Sequence, residues 1–95
     1  MAVGFAAQSA AAQDATWTAQ VRGAIMLAAE NIYSEGPGTQ GHLARATLAA
    51  AVARNPDGFV AAFAAALAAQ GIDKTSTDAQ VSNGVASVWN LQAGA

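Results

Sequence analysis

The stretch that decides the fold is Asn55–Gly71, which reads NPDGFVAAFAAALAAQG. Asn55 is a preferred N-cap residue, and Pro56 falls in the first turn, where a helix tolerates proline. Gly71 suits the position just beyond the last helical turn, where the backbone often becomes left-handed. These signals at both ends predict one well-delimited helix.

One face of this helix carries most of its bulk. Phe59, Phe63 and Leu67 follow one another at intervals of four residues, with Val60 beside them, and residues four apart lie on the same face of a helix. Most of the other positions are alanine, so neighbouring helices can approach closely. We therefore expect this helix to be the centre of a small bundle, with part of its alanine surface meeting another subunit.

A first helix is expected before the loop Glu35–Thr39, in which two glycines flank a proline. Its cap is either Ser9 or Asp14, and it ends near Ser34. Residues 1–13 are a candidate flexible N-terminal arm, with Phe5 as its anchor. The apolar face of this helix recurs at helical spacing and comprises Trp17, Val21, Ala24, Ile25, Ala28 and Ile32.

Two more helices complete the prediction. Thr39 is the expected cap of the second, which ends before Asn55 because a proline disfavours helical geometry in the residue that precedes it. Thr77 and Gln80 have the spacing of a capping box for the last, which runs to Gly94. The expected apolar positions are Leu43, Thr47, Leu48 and Val52 in the second helix and Val81, Val85, Val88 and Trp89 in the last. The sequence thus predicts an all-α fold, a single domain over residues 1–95 built as a small bundle of about four helices with short loops.

Composition limits the classes of function. Charged residues make up 11% of the chain, well below the usual quarter. A weakly charged surface suits a protein covered by partners, and a coding bias towards alanine explains the composition equally well. The net charge is −2, and the strong bases are scattered, so nucleic-acid binding through a basic surface is not expected. These bases are Arg22, Arg45, Arg54 and Lys74, and the chain has no cysteine.

No membrane span or secretion signal is expected either. The longest nearly unbroken apolar run, Phe59–Ala69, is about half the length that a membrane-spanning helix needs. The first residues contain small side chains like those of a cleavage site. They lack the basic segment and the apolar segment of a secretory signal.

The residues that could carry chemistry are few. His42 is the single histidine, and no metal-ligand spacing surrounds it, so we expect a solvent-facing or locally hydrogen-bonded side chain. Glu30 and Glu35 flank a helix end, where nothing holds the two carboxylates face to face. Trp17 and Trp89 lie at helical spacing among aliphatic residues, which favours core anchoring over ligand stacking. We predict no catalytic, cofactor-binding or metal-binding residues, and a protein that is not an enzyme.

Three segments together resemble a known group of proteins. They are AENIYSE (Ala29–Glu35), HLARATLAAAVARNPDGF (His42–Phe59) and TDAQVSNGVASVWN (Thr77–Asn90). Their order and spacing resemble small helical proteins encoded among the virion structural genes of tailed bacteriophages. In that group a first helix ends in an acidic loop, and a helix opening with a Gly-His-x-x-Arg-like segment follows. An Asn-Pro junction and a last helix with a Val-Trp pair come next.

This resemblance, which covers about residues 15–94, implies a non-enzymatic structural part of the phage particle. Such proteins sit at the head–tail connection or on the capsid in symmetric copies. It implies a homo-oligomer in contact with portal, capsid or tail components, located in the virion after assembly in the bacterial cytoplasm. It carries over no catalytic residues. The alternative is a soluble helical adaptor that binds a partner's amphipathic helix in a groove.

Overall fold

Over residues 2–94 the computed structural model contains four helices: α1 Ala2–Ser34, α2 His42–Arg54, α3 Pro56–Ala69 and α4 Asp78–Gly94. The structure describes the backbone of residues 2–94 and the side chains of residues 15–94. Over residues 2–94 the backbone forms no β-strand. The helices pack against one another as a small bundle, which confirms the predicted all-α class.

Three helix-end signals are confirmed. The Asn55 side chain accepts a hydrogen bond from the Gly58 backbone N–H at 3.2 Å, which caps α3. Gly71 adopts a left-handed backbone with φ 78° just beyond α3. At α4 the Thr77 N–H donates to Gln80 Oε1 at 2.7 Å, and the Gln80 N–H donates to Thr77 Oγ1 at 3.2 Å. These are the two reciprocal bonds of a capping box.

The start of α1 differs from the prediction. The helix begins at Ala2, ahead of both expected caps, Ser9 and Asp14. Alanine is the strongest helix former, and this segment is rich in it, which accounts for the longer helix. The proposed anchor Phe5, and the packing of the candidate arm over residues 1–13, concern side chains that lie outside the described residues.

The predicted cap of α2 is wrong. Gly41, not Thr39, is the N-cap residue, with φ 77° and no side-chain cap. Thr39 instead donates its hydroxyl hydrogen to the Glu35 carbonyl at 3.2 Å. The chain enters α2 through a left-handed residue, a conformation that glycine adopts without steric cost, so the helix starts later than the threonine pattern predicted.

The core takes residues from all four helices. The rings of Phe63 on α3 and Trp89 on α4 lie at its centre, with their centroids 5.6 Å apart and their planes tilted by 56°. Trp17 packs against the edge of this core. The buried apolar residues are Val21, Ile25, Ala29, Ile32, Ala49, Val52, Val60, Phe63, Leu67, Val81, Val85, Val88 and Trp89. The expected faces of α1, α3 and α4 therefore point inwards.

The expected face of α2 is only partly correct. Leu43 is 80% exposed and Thr47 is exposed as well, whereas Ala49 and Val52 are fully buried. The small side chain of Ala49 lets α2 lie close to its neighbours. The same rotation of the helix turns Arg45 towards the end of α1.

Polar contacts fix the relative directions of the helices. Gln20 on α1 donates to Asp78 at the start of α4, at 2.7 Å. The far end of α1 reaches the start of α2, where Arg45 pairs with Glu35. The far end of α4 also reaches the start of α2, where the Trp89 indole N–H donates to the Arg45 carbonyl. Helix α4 therefore runs in the same direction as α1, and α2 returns antiparallel to it.

The outer face of α3 carries only methyl groups. Its exposed positions between the cap and the C-terminal turn are all alanine: Ala61, Ala62, Ala65, Ala68 and Ala69. Asp57, in the first turn, is the charged residue of this helix and pairs with Arg22 of α1 at 2.8 Å. The structure thus leaves uncovered the alanine surface that the sequence predicted to be too large for three short neighbours.

Candidate functional site: a groove between helices α1 and α4

A groove of about 380 Å³ runs between α1 and α4, which lie side by side in the same direction. Its α1 wall is formed by Ala24, Leu27 and Ala28, and its α4 wall by Ser82 and Ala86. Residues four apart stack along one face of a helix, so Ala24–Ala28 and Ser82–Ala86 form two facing stripes of small side chains. The groove is open because the small side chains of these two stripes do not fill the space between the helices, and Leu27 lies at the rim with 60% of its surface exposed.

Glu35 and Arg45 close one end of the groove. The Arg45 guanidinium donates to Glu35 Oε1 at 2.5 Å and to the Gln40 carbonyl at 3.0 Å. His42 Nδ1 lies 3.2 Å from the same Glu35 oxygen. The hydrogen bond from Arg45, followed by the one with His42, holds the pKa of the Glu35 carboxyl below its usual range. This cluster therefore fastens the loop between α1 and α2 to the groove's end.

Trp89 forms the floor of the groove. Its side chain is 1% exposed, and its indole Nε1–H donates to the Arg45 carbonyl at 3.2 Å. The ring therefore contributes an apolar surface and offers no free donor. Because the same ring packs on Phe63 in the core, the floor is fixed by the interior of the bundle.

The rim of the groove mixes an apolar residue with neutral polar ones. Leu27 is 60% exposed, and Asn31, Ser82 and Asn90 are exposed beside it. Among side chains of residues 15–94, none leaves a buried nitrogen or oxygen without a hydrogen-bond partner. The same region holds no group of three or more residues suited to a metal ion. The groove thus combines small apolar walls with neutral polar side chains that are open to solvent at its rim.

The side chains that the sequence singled out are now placed. His42 is locally hydrogen-bonded, as predicted, and Trp89 is a core anchor. Glu35 pairs with Arg45 and lies within hydrogen-bond distance of His42. The Glu30 carboxylate forms no ion pair within residues 15–94, and the two carboxylates share no partner. Arg45 is the residue whose role the sequence did not reveal. Its spacing of three from His42 was the available signal, because residues three apart share a helix face.

In the described part of the chain, no helix is long and apolar enough to cross a membrane. Comparison with known proteins found no matching family model, no matching curated protein and no matching solved structure.

Proposed function

We propose that this chain is a non-enzymatic structural protein of a tailed-bacteriophage particle. It acts through repeated contacts between subunits, at the head–tail connection or on the capsid. Its partners are further copies of itself and other virion proteins, namely portal, capsid or tail components, and it resides in the virion after assembly in the bacterial cytoplasm. The phage particle is proposed because three segments resemble small virion proteins: Ala29–Glu35, His42–Phe59 and Thr77–Asn90.

The main support for the proposal is the large apolar surface that the folded chain exposes to solvent. The outer face of α3 is a continuous alanine surface, and four large apolar side chains are also exposed. These are Leu27 at 60%, Tyr33 at 54%, Leu43 at 80% and Leu91 at 67%. Single exposed apolar residues are ordinary on monomers, whereas extended patches are typical of interaction sites.

Two measurements test this proposal. Light scattering on the purified chain should give a defined multiple of the subunit mass. Mass spectrometry of purified phage particles should detect the chain as a stoichiometric component. A monomer at high concentration that is also absent from particles would overturn the proposal. The neighbouring genes give an independent check, since portal, capsid or tail genes alongside are expected.

The groove between α1 and α4 favours a second function, that of a soluble adaptor which binds one amphipathic helix of a partner. Its facing stripes of small residues, with Leu27 at the rim, have the form of a helix-binding groove. The adaptor predicts a stable monomer that binds a single heterologous helix. Light scattering separates the two functions, because a ring or lattice of identical subunits excludes the adaptor.

A further inference from the structure

We draw no further inference here: the strongest candidate, the exposed apolar face of helix α2 around Leu43, is an unpartnered surface, and nothing in the structure shows what covers it.

Discussion

Replacing Phe63 by alanine removes the ring at the centre of the core, and the structure sets the size of the effect. Phe63 is 0% exposed and its ring packs on Trp89 at 5.6 Å. Truncation of a fully buried phenylalanine costs about 3–5 kcal/mol of unfolding free energy. A chain of 95 residues has roughly 5–14 kcal/mol in total. Phe63→Ala should therefore remove a large part of the stability of an isolated subunit.

The unfolding entropy converts this cost into a melting temperature. At about 2.1 cal/mol/K per residue, a domain of this length loses roughly 5 °C for each kcal/mol, so the variant should melt about 15–25 °C below the wild type. Far-UV circular dichroism measures the transition, and it is recorded at two protein concentrations because assembly would also raise the melting temperature.

The matched control is Ala62→Ser, at an exposed position of the same helix. It should change stability by no more than about 0.5 kcal/mol, through helix propensity alone. If Phe63→Ala melts within a few degrees of Ala62→Ser, Phe63 does not anchor the core of the subunit, and the packing derived above is refuted.

Three further predictions concern a helix cap, two left-handed glycines and the Glu35 carboxylate. Asn55→Ala should cost about 1 kcal/mol because the α3 cap is lost, and an unchanged thermal melt would mean that the following proline alone sets the break. Gly41→Ala and Gly71→Ala should each cost roughly 1–2 kcal/mol because both backbones are left-handed. Gly41→Ala should cost more, since its Cβ would lie 2.9 Å from Arg45 Nη1, and equal melts would contradict this. The pKa of Glu35 is lowered, so its contribution to stability is present above the ordinary pKa of a glutamate and is lost as the pH falls through the folded pKa. Chemical denaturation across acidic pH should show a shallower loss for Glu35→Gln, and parallel curves would rule out that role.

The sequence predicted those parts of the fold in which a residue type has one strong local preference. Asn55 before a proline, Gly71 after an apolar run, and the pair Thr77 and Gln80 each satisfy backbone groups that a helix end leaves unpaired. The inward faces of α1, α3 and α4 were also predictable, because bulky side chains mark one side of each helix. Phe63 among alanines is the clearest case.

The sequence did not determine which face of α2 is buried. In a helix composed largely of alanine, an apolar stripe through Leu43 and one through Ala49 are nearly equivalent by hydropathy. In the structure the face with Ala49 is buried, because its small side chain permits a closer approach of the neighbouring helices. Burial of the Ala49 face exposes Leu43 and turns Arg45 towards Glu35. The exposure of this leucine and the ion pair at the groove therefore have the same cause.

The groove itself was beyond sequence reasoning. It depends on α1 and α4 running in the same direction, which is fixed by contacts between residues far apart in the chain, such as Gln20 with Asp78. Small residues on two helices form a groove only when those helices are neighbours. The exposed alanine face of α3 could be predicted from the sequence alone, because its area exceeds what three short neighbouring helices can cover.

The central claim is that this chain works through contacts between its own copies. The most direct measurement is the molar mass of the purified full chain by multi-angle light scattering over a wide range of concentration. We predict a single defined multiple of the 9.4 kDa subunit mass that persists on dilution. A mass of one subunit at every concentration would contradict the account.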